Sequence, residues 1–298
     1  MIIRMEERAD LLDLHHDRWE LGIIGSAVDD RGTAAIGFVT SNAAEIRTAH
    51  YLADQFTLQV NGNAVLAEEV MDFFAQDKGR SVLIEATTLG LVESLLIIRG
   101  FYELGASRLS ICYVEPKGYT NPRHSHLVHR REFELSQEVQ GYKPVPGAVL
   151  VTTERTSQRA IFFLGYEERR LDVALDEPLV VPADTAVVFG VPAFNPGWEM
   201  NAFANNVRVI RDNSIGGGIY YCGAENPAAA FGILEEVYAS LLSDERLLVG
   251  PIGTKPNGIG AALFIATHRD VGLLYDHPRR SSKRSTEVAR WHLFSIEF

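Results

Sequence analysis

The stretch Ser81–Val114, SVLIEATTLGLVESLLIIRGFYELGASRLSICYV, decides the predicted fold. Its first seven residues and its last seven are short apolar runs, which are typical of buried strands. Between them, apolar residues recur at spacings of four, three and four, as on one face of a helix: Leu91, Leu95, Ile98 and Tyr102. Strand, helix and strand together predict a βαβ unit, the building block of a parallel sheet.

The segment before this unit has turn residues between apolar runs. ELGIIGSAV and TAAIGFVTS are separated by Asp29–Gly32, so residues 20–41 predict a β-hairpin. Asn42 and Glu45 have the spacing of a capping box, which predicts a helix near residues 43–54. FTLQV then predicts a strand, and NGN predicts a turn.

The second half of the chain repeats a strand-then-glycine pattern. Residues 116–147 gather prolines and glycines, so we predict a long connecting loop there. Asn226 and Pro227 have the types expected at the cap and first position of a helix, and Pro256 predicts a second helix that continues to about Thr267. The strand-like runs around these helices are AIFFLG, TAVVFG, GIYYCG, RLLVG and GLLYDH.

These patterns predict an α/β fold with mostly parallel, Rossmann-like sheets flanked by helices, in two lobes. The expected divisions are an N-terminal α/β lobe with a β-hairpin (1–115), a connecting loop (116–147) and a C-terminal Rossmann-like lobe (148–298).

Composition excludes several functional classes. No apolar run approaches the roughly 20 residues of a membrane span, and the start MIIRMEERAD carries acids where a secretory peptide has an apolar core. The formal net charge of -11 opposes binding along nucleic acid, which depends on many Lys and Arg groups. Two cysteines, Cys112 and Cys222, provide no disulfide framework. We expect a cytoplasmic protein that contacts neither a membrane nor long nucleic acid.

The clearest binding signal is the segment LLVGPIGTKPNGIGAALF. In a parallel sheet, ligands bind beyond the carboxyl ends of the strands, where helix N-termini point their N–H groups outward. Gly253 permits close backbone approach, Thr254 supplies a hydroxyl, and Lys255 supplies a charge, which together suit a phosphate or carboxylate. The spacing of a P-loop is absent. The alternative is a plain strand-to-helix turn with a solvated lysine.

Polar residues also follow the other predicted strands. Glu85 comes directly after a buried strand, where a carboxylate needs a partner or a ligand. A plain helix cap is the alternative for Asn226, and a solvated helix start is the alternative for Glu167 and Arg169. Candidate acids or bases are Glu85, Glu115 and Glu167, and candidate ligand contacts are Thr87, Tyr119, Arg169, Glu225, Asn226, Gly253, Thr254 and Lys255.

Two basic segments are further candidate sites. His124-Ser125-His126 has H-x-H spacing but lies in a Pro-rich loop without a matching Cys or carboxylate, so we predict a solvated basic loop and no metal site. No cofactor is identified. The run Asp276–Arg280, followed by Lys283 and Arg284, predicts a solvated tail, and the alternative is that its arginines close over a bound phosphate.

The segment GPIGTKPNGIGAALF resembles the Gly-Thr-Lys turn and following helix of CRISPR-associated Rossmann fold (CARF) domains and their fused-pair relatives, the SAVED domains. Gly253, Thr254 and Lys255 match the turn, and Ala261 and Ala262 lie in the helix. The resemblance implies a Rossmann-like sheet that binds cyclic or linear oligonucleotide messengers, commonly across a dimer or pseudo-dimer, and controls an effector in prokaryotic defence.

Three functions therefore remain open. The first is a sensor that binds a nucleotide-type or other small phosphorylated ligand and signals to a protein partner or a second copy. The second is an enzyme that hydrolyses or transfers a group on a nucleotide or phosphorylated metabolite, using the strand-end carboxylates. The third is a structural subunit of a larger complex, with a vestigial crevice.

Overall fold

The computed structural model describes residues 1–9, 18–119, 122–124, 131–133, 135–139, 141–150, 153 and 156–298. The chain forms two compact units. The first contains Met1–Thr120 and Arg280–Phe298, and the second contains Asn121–Arg279. The predicted α/β class is confirmed, because one sheet of eight strands and one parallel sheet of five strands are accompanied by helices.

The first unit contains the eight-stranded sheet. Its strands are β1 (Ile2–Arg8), β2 (Trp19–Ile24), β3 (Ala43–Leu52), β4 (Thr57–Val60), β5 (Asn63–Leu66), β6 (Val82–Glu85), β7 (Arg108–Tyr119) and β17 (Ser285–Glu297). Its helices are α1 (Asp30–Asn42), α2 (Val70–Phe74) and α3 (Leu91–Glu103). The strand order is β1-β17-β7-β6-β2-β3-β4-β5.

This first sheet is mixed, so the prediction of a mostly parallel sheet was wrong for it. The strands β3, β2, β6 and β7 run parallel, which confirms the βαβ unit of residues 81–114. The outer strands β1, β17, β4 and β5 add antiparallel pairings. The predicted FTLQV strand and NGN turn are confirmed as β4 and its connection to β5.

Residues 30–42 form helix α1, so the predicted β-hairpin was wrong. Asp29 is the N-cap of this helix, and its Oδ1 accepts a hydrogen bond from the Gly32 N–H at 3.0 Å. The helix packs its apolar face into a core that includes Trp19 and Trp291. Burying one large apolar side chain contributes about 1.5–3 kcal/mol, which outweighs the local turn signal. The buried apolar residues have helical spacing: Ala35, Phe38 and Val39.

The helix predicted near residues 43–54 is strand β3. Asn42 ends α1 instead of starting a new helix, because its side-chain amide donates to the Phe38 carbonyl at 2.8 Å. In the second half of β3, buried and solvent-facing residues alternate, which is the period of a strand. The capping-box spacing of Asn42 and Glu45 was therefore misleading.

The second unit contains the parallel sheet. Short strands β8 (Pro122–His124), β9 (Arg131–Phe133) and β10 (Ser136–Val139) precede it, and β16 (Pro278–Arg280) follows it. The sheet strands are β11 (Ser157–Leu164), β12 (Thr185–Gly190), β13 (Ile219–Cys222), β14 (Glu245–Pro251) and β15 (Gly272–Leu273), in the order β13-β12-β11-β14-β15. The helices are α4 (Glu168–Ala174), α5 (Trp198–Asp212), α6 (Pro227–Ala239) and α7 (Lys255–Thr267).

Local patterns predict this second sheet well. The four runs that end in glycine are confirmed as β11, β12, β13 and β14, and all pairings in the sheet are parallel. The two helices predicted from Asn226-Pro227 and Pro256 are confirmed as α6 and α7. No helix in the described part of the chain is both long enough and apolar enough to cross a membrane.

Helices α6 and α7 approach closely at Gly260, which gives a test of the fold. A Cβ atom on Gly260 would lie 2.4 Å from the Pro227 carbonyl oxygen, a backbone atom that cannot rotate away. We expect Gly260→Ala to lower the free energy of unfolding in urea by about 1–3 kcal/mol. Gly232→Ala in α6 is the matched control, because that position has open space and gains about 0.5–1 kcal/mol of helix propensity. Equal effects of the two substitutions would contradict this packing.

Candidate functional site

In each unit the carboxyl ends of the parallel strands lie along one edge of the sheet. At one point on this edge, the connections from two neighbouring strands lead in opposite directions along the sheet, which is called a topological switch point. In the second unit, β11 leads through α4 to β12 on one side, and β14 lies on its other side. In the first unit, β2 leads through α1 to β3 on one side, and β6 lies on the other. At such switch points a crevice opens outside the strand ends, and open α/β sheets commonly bind ligands there.

The turn after β14 contains the predicted residues Gly253, Thr254 and Lys255, which are all partly exposed. Thr254 is the N-cap of α7, and its hydroxyl oxygen accepts a hydrogen bond from the Asn257 N–H. The same hydroxyl donates to the Ala224 carbonyl at 2.6 Å. The Thr254 side chain therefore fixes the turn against the loop between β13 and α6.

That neighbouring loop carries two more predicted residues. Asn226 caps α6, and its Oδ1 accepts from the Ala229 N–H at 2.9 Å, so the plain helix cap describes its side chain. Glu225 beside it is partly exposed. The structure thus places five predicted contacts on two adjoining loops, at the N-termini of α6 and α7: Glu225, Asn226, Gly253, Thr254 and Lys255.

The loop after β11 packs against the same turn. Gly165 and Gly253 approach so closely that a Cβ on Gly253 would lie 2.9 Å from the Leu164 carbonyl oxygen. Glu167 follows in this loop, and its carboxylate accepts hydrogen bonds from the Ser136 N–H at 3.0 Å and the Ser136 hydroxyl at 3.1 Å. Arg169 is exposed on α4. Glu167 therefore holds a neighbouring segment, while Arg169 faces solvent.

A buried ion pair that the sequence patterns do not predict lies at this edge. Arg170 donates from Nε and Nη2 to the two carboxylate oxygens of Asp276 at 2.7 and 2.6 Å, and from Nη1 to the Ile252 carbonyl at 3.1 Å. Asp276 is fully buried, so the predicted solvated tail is wrong for this residue. Burial alone lowers the pKa of Arg170, but the hydrogen bonds and charge of Asp276 outweigh it and raise that pKa. The missed signal was an acid directly after the apolar run GLLY.

An aromatic cluster lies beside the loop after β11. Tyr166 contacts Phe133 with ring centroids 5.0 Å apart, and Trp198 lies 5.5 Å from Phe133. The side-chain amide of Asn205 fixes the Tyr166 backbone by donating to its carbonyl at 2.6 Å. Trp198 is partly exposed at the start of α5, whereas Phe133 and Tyr166 are buried.

The predicted residues Glu85 and Thr87 lie in the first unit and are engaged in its own turn. Glu85 is fully buried, and its carboxylate accepts from the N–H groups of Thr87 and Thr88 at 2.6 and 2.9 Å, and from the Thr88 hydroxyl. The Thr87 hydroxyl oxygen accepts from the Val114 N–H at 3.0 Å. These contacts stabilise the connection between β6 and α3.

Glu115 and Tyr119 are also in the first unit, on β7. The Glu115 carboxylate is buried and lies 3.0 Å from Nε2 of His292. Burial raises the pKa of the Tyr119 phenol. The predicted site residues are therefore divided between the two units. Four of them lie in the first unit (Glu85, Thr87, Glu115 and Tyr119), and the others lie in the second.

Metal binding finds no support in the described part of the chain, where no group of three or more His, Cys, Asp or Glu side chains is placed to hold an ion. Residues 125–130 of the predicted basic loop lie outside the described residues, and His124 is described only as part of strand β8.

A cavity of about 550 Å³ lies at the opposite edge of the first sheet, around the starts of β2, β6 and β7. Its lining includes Arg80, whose guanidinium is already paired with Glu45 and Asp77. None of the predicted site residues lines this cavity.

Comparisons with known proteins give limited results. No protein-family model matches the chain, and no curated protein sequence matches it. One similar solved structure is that of the Acinetobacter baumannii Cap4 SAVED/CARF-domain containing receptor with the cyclic trinucleotide 2'3'3'-cAAA, with 11% identity and a TM-score of 0.35. The similarity covers 88% of this chain and 50% of the receptor chain, so this chain spans about half the length of that receptor.

Proposed function

We propose that the protein binds a small anionic ligand of the nucleotide type at the carboxyl edge of the five-stranded sheet, and that it acts as a sensor. The observation that carries the proposal is the hydrogen bond from Thr254 to the Ala224 carbonyl, because it holds the N-termini of α6 and α7 side by side. Each helix N-terminus carries about half a positive charge, and two together favour an anion more than one does. Lys255 adds a full charge at the same place.

The topology of the second unit supports a nucleotide as the class of anion. The chain order of its strands, third-second-first-fourth-fifth, follows the doubly wound pattern of dinucleotide-binding sheets, so we propose a Rossmann-like fold for this unit. Tyr166 lies in the loop that follows the first strand of that order, and Trp198, which contacts it, is the partly exposed ring of the aromatic cluster. Stacking of a base on an aromatic ring is worth about 1–3 kcal/mol, so a nucleobase gains more there than inorganic phosphate does.

The carboxylates favour binding over catalysis. A general base needs a carboxylate that reaches the substrate proton, and those of Glu85, Glu115 and Glu167 already accept hydrogen bonds within the protein or contact a histidine. The resemblance of the Gly-Thr-Lys turn to that of CARF and SAVED domains extends the proposal to an oligonucleotide messenger and to signalling through a separate protein or a second copy, in prokaryotic defence.

The proposal is tested by thermal melting with a panel of AMP, ATP, a cyclic dinucleotide and a cyclic trinucleotide, with chromatography of each nucleotide afterwards. A ligand at 100 times its Kd stabilises the folded state by about 2.7 kcal/mol, so a binding nucleotide raises the melting temperature measurably. We expect at least one such rise without any product. Lys255→Gln is expected to reduce this rise strongly, measured against the melting temperature of the same variant without nucleotide.

The matched control is Lys117→Gln, because Lys117 is an exposed lysine in a surface ion pair with Glu287 in the other unit. We expect it to keep the full response to the nucleotide. The proposal fails if no nucleotide changes the melting temperature, or if Lys117→Gln and Lys255→Gln respond alike. Formation of a product would instead establish the enzyme.

A further inference from the structure

The loop between β16 and β17, Ser281–Arg284, lies over the switch point of the first unit. The Lys283 N–H donates to the Val28 carbonyl at 2.8 Å, which places the loop against the connection that follows β2. Just before the loop, Arg280 donates to the Thr87 and Thr88 carbonyls at 3.0 and 2.8 Å, in the connection that follows β6. The loop therefore spans the ends of the two strands between which the winding reverses.

Two of the arginines at this edge are fully engaged. Arg31 donates to the Ser285 hydroxyl at 2.7 Å, to the Val114 carbonyl at 3.0 Å and to Asp29 at 3.2 Å. Arg280 donates to the carbonyls of the turn after β6. These contacts fix both guanidinium groups in place.

Arg284 differs from both. Its Nε is shielded from solvent and has no hydrogen-bond partner among the described residues. A buried N–H without an acceptor costs free energy, so such an atom in a folded protein often marks the position of a missing water or ion. Burial and the charges of Arg280 and Arg31 lower the pKa of Arg284 to about 10, so it remains charged at neutral pH.

The charge of Asp29 raises the pKa of Arg284, but by less than burial and the two neighbouring arginines lower it. Asp29 accepts from Gly32, Arg31 and Ser285, so both of its carboxylate oxygens are engaged. Glu85 accepts from the turn after β6, and Glu115 contacts His292. No described acid lies within ion-pair distance of Arg284.

We propose that the loop Ser281–Arg284 forms a second anion site, in which Arg284 binds a phosphoryl group at the switch point of the first unit. A phosphoryl group suits this place because a guanidinium presents a planar fork of donors to two of its oxygens. The hydroxyls of Ser281 and Ser282 in the same loop supply further donors of the right type. All of these residues belong to the first unit, so the inference does not depend on the site at Lys255.

The test is a calorimetric titration of the full chain with inorganic phosphate, performed in the Lys255→Gln background so that the proposed site in the second unit is disabled. We expect saturable binding of one phosphate. Adding Arg284→Gln is expected to weaken it at least tenfold, and adding Arg279→Gln, an exposed neighbouring arginine, should leave it within twofold. Acetate in place of phosphate is expected to bind more weakly.

Folding is checked separately, because loss of binding could follow from loss of structure. Removing a cation whose Nε has no described hydrogen-bond partner is not expected to destabilise the protein, so Arg284→Gln should melt in phosphate-free buffer at the parent temperature or above it. The inference is overturned if the Lys255→Gln protein binds no phosphate, if Arg284→Gln binds it equally well, or if Arg284→Gln melts several degrees lower without phosphate. Tighter binding of acetate would assign the site to carboxylates instead.

Discussion

Arg170→Ala is expected to lower the free energy of unfolding of the second unit by about 3–5 kcal/mol, the usual cost of removing one partner from a buried ion pair. The loss is large because Asp276 is fully buried and would lose the bidentate guanidinium that pairs with its carboxylate. The Ile252 carbonyl would also lose its donor, and this carbonyl begins the Gly253–Lys255 turn. The Gly253–Lys255 turn is therefore expected to become more mobile as the second unit becomes less stable.

The matched control is Arg169→Ala, which removes the exposed neighbour of Arg170 from the same helix. A surface substitution of this kind changes stability by less than about 0.5 kcal/mol. Urea unfolding followed by circular dichroism reports on both variants. Similar midpoints for Arg170→Ala and Arg169→Ala would contradict the ion pair.

Asp77→Ala is expected to cause a second large decrease in the free energy of unfolding, this time in the first unit. Asp77 is buried and accepts from both terminal nitrogens of Arg47, at 2.6 and 2.9 Å, and from Arg80 at 2.7 Å. Without Asp77, Glu45 is the one acid among the described residues that is left to pair with Arg47 and Arg80. We therefore expect the free energy of unfolding to decrease by about 3 kcal/mol, at the lower end of the range for a broken buried ion pair. The exposed Asp72→Ala in α2 is the control.

The pH dependence of the same network gives an independent check. Hydrogen bonds from Arg80 and then Arg47 lower the pKa of Glu45 below its ordinary value of 4.5. Stabilisation from a lowered carboxyl pKa is complete above the unfolded pKa and is lost as the pH falls through the folded pKa. Asp77→Ala leaves Glu45 as the remaining acid of the network. The urea concentration at the unfolding midpoint of this variant should therefore decrease as the pH is lowered below 4.5. A midpoint for this variant that does not change between pH 5 and pH 3 would show that Glu45 does not hold the arginines.

The second unit was the more predictable half because its sheet is built from local repeats. The first four strand runs each end at a glycine and are followed by a helix that returns over the sheet, so local patterns contain most of the topology. The first unit depends on distant contacts. Strand β17 pairs with β7, with Ile296 opposite Leu109, and no local pattern predicts a partner so far along the chain.

Helix α1 shows how a local signal fails. Asp29 and Gly32 have turn chemistry, but the same two residues form a helix cap when Phe38 can be buried against Trp291. The apolar periodicity of TAAIGFVTS fits a helix as well as a strand over so short a length. Only the tertiary partners of Phe38 decide between the two.

The candidate site was predictable in position but not in the state of its side chains. Parallel strands bring their carboxyl ends to one edge, which is why Glu225 and Lys255 fall on adjoining loops. Whether a strand-end carboxylate is available or engaged depends on the turn around it, and Glu85 accepts the N–H groups of its own turn. The sequence also does not show which side of α4 faces the protein, so it could not predict that Arg170 pairs with Asp276 while Arg169 is exposed.

The measurement that tests the central claim most directly is hydrogen exchange of the full chain, with and without whichever nucleotide of the panel stabilises it most. N–H groups at a helix start lack partners within the helix, and they exchange more slowly when they donate to a bound anion. The account predicts slower exchange in residues 223–230 and 251–258, at the N-termini of α6 and α7. Slower exchange elsewhere, with both of these segments unchanged, would contradict it.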